Sequence, residues 1–321
     1  MKGLSKDSAT WHEVGEEGAA QRVDNYLTRL LKGVPKSHIY RILRSGEVRV
    51  NSGRVGPEHR LQVGDRLRLP PVRTAVRPAT ADAARPVIPR LAGRIIHEDD
   101  ALLAIDKPAG MAVHGGSGVS VGVIEQLRLE RPAARVLELV HRLDRETSGV
   151  LLVAKKRSAL TGLHAQLREG RTHKFYLALV SGRWRNARQS VSLALHKYVL
   201  QSGERRVRVQ AEGQAAHTIF RLERAFAEYS LLEAELKTGR THQIRVHLAH
   251  LGFPIAGDDK YGDFDLNKKL AKEGLKRMFL HARRMTVDHP VTGRPVTFEA
   301  PLPAELSDFL QTLPGADAQT L

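Results

Sequence analysis

Between Pro70 and Arg90 the chain reads PPVRTAVRPATADAARPVIPR, rich in proline and alanine and without a helical or strand period. A segment that cannot keep apolar residues on one side adds nothing to a core. The chain must therefore build two separate cores, about 70 residues before this run and about 220 after it. The expected organisation is a flexible N-terminal arm over 1–17, a small domain over 18–71, a linker over 72–90, a large domain over 91–313 and a C-terminal tail over 314–321.

In the small domain, Val23, Tyr26, Leu27, Leu30 and Leu31 recur at helical spacing, and Ser37 to Arg44 repeats it. This predicts two short helices, with Ser37 capping the start of the second and Gly46 stopping it. The stretch EVRVNSGRVGPEHRLQVGDRLRLP then alternates like short strands broken by Asn-Ser-Gly, Gly-Pro and Gly-Asp turns. Lys36, His38, Arg41, Arg44 and Arg49 give this domain a basic face. A merely solvated face is the plainer reading of such charge.

Beyond the linker, RIIHEDDALLAIDKPAGMAVH gives two short strands, SVGVIEQLRLE a helix, GVLLVAKK a buried strand and SALTGLHAQLREG a helix ending at Gly170. THKFYLALVSG, RVRVQ, AAHTIFRLERAF and YSLLEAELKTG alternate as strands. The large domain is thus expected to be α+β with a mixed, mostly antiparallel sheet.

Lys and Arg number 51 against 35 Asp and Glu, a net charge of +16, which points to a polyanionic partner. Nucleic acid fits better than an anionic membrane, because no long apolar amphipathic stripe accompanies the cations. No stretch reaches the ~18 to 20 apolar residues of a membrane span, and the first residues carry no apolar core of a secretion signal. A cytoplasmic protein is expected. The absence of cysteine excludes disulfides, thiolate nucleophiles, iron–sulfur clusters and cysteine-bound zinc.

One acid stands in a setting suited to chemistry. In HRLDRETSGVLLVAKK, Asp144 lies between Arg142 and Arg145, just before a Thr-Ser-Gly turn into an apolar strand. Flanking cations favour the ionised form, which can act as nucleophile or general base, although a loop salt bridge explains the same residues. His242, His247 and His250 suggest a metal, but no H-E-x-x-H pattern occurs. HGGSGVSVG, from His114 to Gly122, lacks the nucleotide-loop patterns and reads as a flexible loop touching a nucleic-acid backbone. GDDKYGD, Gly257 to Asp263, reads as a polar turn rather than a cation site. A serine-hydrolase elbow and a second carboxylate suited to glycoside hydrolysis are both missing.

Two resemblances sharpen these expectations. Residues 20 to 70 resemble the S4 RNA-binding domain, with two helices leading to a small sheet that closes on LQVGDRLRL. HRLDRETSG resembles the H-R-L-D-x-x-T-S-G signature of the RluA-type pseudouridine synthases, and DKPAGMAVHGG before it and KFYLALVSG, LKTGRTHQIRVHLAHLGFPIAGDDKYG and MFLHA after it agree in order and spacing. The resemblance implies a pseudouridine synthase fold with Asp144 as catalytic acid. It implies that Tyr176 packs on the flipped base, that Arg245 is a buried arginine paired with the carboxylate, and that Arg142 approaches the gap left in the RNA. Without it, Tyr176 reads as a core aromatic and Arg245 as a strand-surface charge. The implied partner is 23S ribosomal RNA or a large-subunit precursor, bound by a monomer with the S4-like basic face and His114 assisting. No metal, nucleotide or redox cofactor is expected. The rival readings are a silent RNA-binding or ribosome-assembly factor and an RNA glycosidase that releases uracil. Substrate choice is expected to reside in His196 to Thr218.

Overall fold

The computed structural model describes residues 8–31, 33–72, 90–115 and 121–315. These fall into two compact units, one of the residues before Arg90 together with Lys156–Ser158 and the other of the rest. Residues 73–89, to which most of the expected linker belongs, and 116–120 of the His114–Gly122 loop lie outside the described residues.

The first unit holds strand β1 (Thr10–Glu13), helices α1 (Val23–Leu30) and α2 (Lys36–Arg44), and strands β2 (Arg49–Val50), β3 (Gly53–Arg54) and β4 (Arg66–Leu69). The four strands form an antiparallel sheet in the order β1-β4-β2-β3, packed on a core that includes Tyr26, Leu27, Ile39, Ile42, Leu67 and Leu69. Three expectations are corrected here. The arm is not loose throughout, because β1 pairs with β4 from Thr10↔Leu69 to Glu13↔Arg66 and Val14 is buried. Without it β4 would present an open edge. Val72, assigned to the linker, is buried in the same core. Ser37 does not cap α2; the helix starts at Lys36 after Pro35, without a side-chain cap. Proline's fixed φ already sets the chain up to enter a helix there.

The second unit contains β5 (Ile95–Glu98), β6 (Leu102–Lys107), α3 (Val123–Glu130), β7 (Glu138–Leu139), β8 (Ser148–Ala154), α4 (Arg157–Arg168) and β9 (His173–Ser181). It continues with β10 (Arg188–Ser192), β11 (Leu195–Val199), β12 (Arg205–Val209), β13 (His217–Ala225), β14 (Tyr229–Leu236), α5 (Gln243–His250), α6 (Phe264–Lys272), β15 (Leu280–Asp288), β16 (Pro295–Glu299) and α7 (Ala304–Thr312). The main sheet runs β10-β13-β14-β9-β15-β8-β6-β5, with β16 added to β15 and β7 to β8, while β11 and β12 form a separate hairpin. Among the described strands only β15 and β8 pair in parallel, through His281↔Ser148 and Ala282↔Gly149. The mixed, mostly antiparallel α+β architecture agrees with the sequence reading. The tail is correct only in part: Gly315 bridges Phe226 and Ala227 donates to the Pro314 carbonyl, while 316–321 are not described.

The parallel junction fixes the loop before β8. Gly149 has φ +107°, and a Cβ there would stand 2.2 Å from the Ala282 carbonyl oxygen. Only glycine allows this approach. Every residue of β8 is buried, so the strand is a fixed base from which Val140–Thr147 projects.

Candidate active site

The loop between β7 and β8 is fastened from below. Lys107, fully buried at the end of β6, donates from Nζ to the carbonyls of Pro108 at 2.8 Å, Met111 at 2.7 Å and Arg145 at 3.0 Å. Three acceptors match the three protons of an ammonium, whereas burial opposes the charge and lowers its pKa to about 7. Arg277 donates to the Glu146 carbonyl at 3.3 Å and to Ser148 Oγ at 2.8 Å. Thr147 N–H donates to the Asp144 carbonyl at 3.2 Å, which closes a turn.

These bonds carry Asp144 to the wall of a cleft of about 550 Å³, a size suited to one flipped nucleoside. Arg142, Asp144, Tyr176 and Arg245 all line it, although they come from a loop, β9 and α5. Six cations, Arg142, Arg168, Lys174, Lys237, Arg240 and Arg245, stand against one carboxylate, Asp144. Such a cleft concentrates phosphate-bearing ligands.

The cation facing Asp144 is not a sequence neighbour. Arg145 donates from Nε to the Gly110 carbonyl at 2.9 Å, and Arg142 is exposed at the rim. Arg245 provides the contact instead, 101 residues away, with Nη1 3.3 Å from Asp144 Oδ2. It sits on a helix rather than on the strand its alternating neighbours suggest. Gln243 anchors the start of that helix, donating to the His217 carbonyl at 3.0 Å and accepting from Arg240 N–H at 2.9 Å.

Arg245 has a second and closer acid. Its Nε and Nη2 donate to Asp258 Oδ2 at 2.8 Å and Oδ1 at 2.7 Å, a two-pronged pair with both side chains buried. Burial works against the Arg245 charge, but the bonds to Asp258 and the attraction of Asp144 raise its pKa overall. Burial likewise opposes the Asp258 charge, and Arg245 prevails to hold that carboxyl below its ordinary range. Asp258 also accepts from Lys260 N–H at 2.8 Å and Tyr261 N–H at 3.0 Å. The turn expected at GDDKYGD is therefore the seat of the arginine.

Tyr176 lies on β9 with 8% of its surface exposed, packed in the main core while its ring borders the cleft. Burial, with a smaller contribution from Asp144, pushes its hydroxyl pKa upward, so it stays neutral. His242 is at the threshold of α5 in a left-handed conformation, φ 53°, which costs a non-glycine residue about 1 kcal/mol or more. Its Nε2 is 3.9 Å from Asp144 Oδ2, and its Nδ1 shares a 2.8 Å hydrogen bond with the Tyr261 hydroxyl. Burial lowers its pKa and favours the neutral ring. The Tyr261 oxygen accepts Val207 N–H at 2.9 Å, so its own proton can go to Nδ1, leaving Nε2–H directed toward Asp144.

The other expected positions fall elsewhere. Lys36, His38, Arg41, Arg44 and Arg49 belong to the N-terminal unit, and the exposed His114 is not on the cleft wall. His247 is fully engaged inside, with Nδ1 3.0 Å from Thr218 Oγ1 and Nε2 3.1 Å from the Leu193 carbonyl. Asp258, Lys107 and Tyr261 were missed as site residues. The only sequence signal for Asp258 was a surplus of acid in an otherwise basic chain.

A lone carboxylate held beside an arginine, in a cationic cleft lined by an aromatic, is an arrangement that suits an anionic ligand such as a nucleotide. Family comparison agrees: the sequence model described as RNA pseudouridylate synthase matches residues 101–250, and that of the S4 domain matches 21–67. The chain belongs to the RNA pseudouridylate synthase family and carries an S4 domain ahead of the synthase domain. It is 54% identical over 308 residues to ribosomal large subunit pseudouridine synthase C of Salmonella typhimurium, across 94% of this chain and 96% of that protein. The protein of the same name from Haemophilus influenzae is 51% identical over 303 residues, across 94% of each. Among solved structures, human RNA pseudouridylate synthase domain containing 4 aligns with a TM-score of 0.57 at 26% identity, covering 71% of this chain and 96% of that one.

Proposed function

We propose that this protein isomerises selected uridines of large-subunit ribosomal RNA to pseudouridine, with Asp144 as the acid that acts on the target nucleotide. The observation that carries this reading is the single carboxylate facing the cleft, 3.3 Å from Arg245. A base in a helix hides its glycosidic bond, so the nucleotide is first swung out at a cost of a few kcal/mol. Stacking on Tyr176 offsets about 1 to 3 kcal/mol of that cost, and Arg142 enters the vacated position. Asp144 then adds to the nucleotide or takes a ribose proton, and that bond breaks again, or that proton returns, as the product forms. The C1′–N1 bond breaks, the uracil turns, and C1′–C5 forms. C5 loses a proton and N1 gains one, so the change is redox-neutral and leaves the RNA mass unaltered. Cations of the S4 domain, Lys36, His38, Arg41, Arg44 and Arg49, together with His114, hold the RNA through its phosphates.

The test uses Asp144→Asn in cells deleted for the gene. Carbodiimide-dependent primer-extension stops on 23S RNA are expected with the wild-type protein and absent with the variant, whose purified form keeps its RNA affinity. Stops that persist in Asp144→Asn cells remove the catalytic assignment. Loss of uracil mass from treated RNA would instead identify a glycosidase.

A further inference from the structure

The solvent side of the small N-terminal sheet carries chemistry that the cleft does not use. Across its strands Trp11 stands opposite Arg68, Arg68 opposite Arg49, and Arg49 opposite Arg54, while Glu13 stands opposite Arg66. Directly paired residues share a face, and alternate residues along a strand return to it. The other face bears the buried Val50, Leu67 and Leu69. Four arginines, one tryptophan and one carboxylate therefore occupy a single solvated surface.

Trp11 is 49% exposed, and the Arg66 guanidinium sits over its ring, 5.2 Å from the centroid. Arg49 donates to the carbonyls of Gly46 and Ser52, Arg54 to that of Ser45, and Arg68 to that of Glu47. A carbonyl acceptor leaves the guanidinium charge uncompensated, and a guanidinium has five N–H groups to share. Closing the end of α2 accounts for these three arginines in part. It accounts neither for Arg66 nor for a large indole left half in water.

We propose that this sheet face is a second RNA-contact surface, on which an unpaired base stacks on Trp11 while Arg49, Arg54, Arg66 and Arg68 meet the adjoining phosphates. The inference rests on the RNA substrate proposed above and adds a distinct surface to it. Trp11 lies outside residues 21–67, which match the S4 domain, and Arg49 is the one residue this face shares with the cations assigned above. The partner is single-stranded rather than duplex RNA, because an indole offers every unpaired base a stacking surface and a closed helix presents none.

The protein contains two tryptophans, Trp11 and the buried Trp184, so intrinsic emission reports on this face. The full-length protein is titrated with a single-stranded oligouridylate, saturation being followed by anisotropy of a labelled strand. Emission is expected to be quenched in the wild type, unmoved in Trp11→Phe, and unmoved in the wild type by a blunt RNA duplex. On a large-subunit RNA transcript, Trp11→Ala is expected to raise KM about tenfold. Arg66→Gln is expected to lower the slope of log affinity against log salt by about 0.7. Wild-type emission unchanged at saturation overturns the proposal, as does equal quenching in Trp11→Phe. The fluorescence result requires no turnover. A wild type that binds and quenches but forms no pseudouridine would sink the proposed function and leave this surface standing.

Discussion

Arg245 faces three carboxylates, Asp144, Asp258 and, at 3.4 Å, the exposed Asp259, and cannot serve them equally. The shorter, two-pronged bonds go to Asp258, and Asp144 receives a single contact at 3.3 Å. Asp258 thus orients the guanidinium, leaving Asp144 oriented yet available for reaction. Asp258→Asn should lower kcat about a hundredfold with little change in KM, since a shift of about 1 Å in a catalytic group has effects of that order. The same variant strands a buried charge and should lose about 3 kcal/mol of stability in denaturant unfolding. Asp144, Tyr176, Arg142 and Arg245 were legible through their motifs, and the structure does bring them to one cleft. Asp258 was not legible, because a carboxylate in a Gly-Asp-Asp turn has the composition of any solvated turn. Its meaning comes from an arginine on a different element.

The junction between β8 and β15 decides whether the loop carrying Asp144 has a floor. Gly149→Ala would push a methyl group against the Ala282 backbone in a left-handed conformation, and should cost more than about 3 kcal/mol, read as a lowered urea midpoint. His281 lies fully buried in the same junction, 3.0 Å from Ser148 Oγ and 3.1 Å from the Ala300 carbonyl, and burial lowers its pKa to about 4. The unfolded chain, with the ordinary value of 6.5, binds this proton more readily than the folded one. The stabilising contribution is therefore complete above pH 6.5 and is lost as pH falls toward 4, amounting to roughly 3 kcal/mol. Unfolding midpoints between pH 7 and 4 should show this loss, and His281→Gln should flatten it. Long periodic elements such as β8, β9 and α4 could be read from the sequence. β1 could not, since four alternating residues in a polar stretch carry too little signal. The helix bearing Arg245 could not either, because Gln-Ile-Arg-Val-His alternates like a strand and only tertiary packing decides it.

At the scale of the molecule, a net charge of +16 and a cleft with six cations make ionic strength a direct control on function. With on the order of six phosphate contacts, raising potassium chloride from about 50 to 200 mM should weaken RNA binding by about a hundred- to a thousandfold. A filter-binding series checks this. The two-unit division followed from the proline-rich run, whereas strand order in the large sheet lay beyond the sequence, because pairing partners there are distant in the chain. One such pairing bears on synthesis. Arg277 and strand β15, which tie down the segment around Glu146 and Ser148, are synthesised well after the loop they fasten. A nascent chain that stops before residue 277 keeps the Lys107 bond to the Asp144 loop but lacks the fastening on its far side. The Asp144 side of the cleft is complete only once that later stretch has been made.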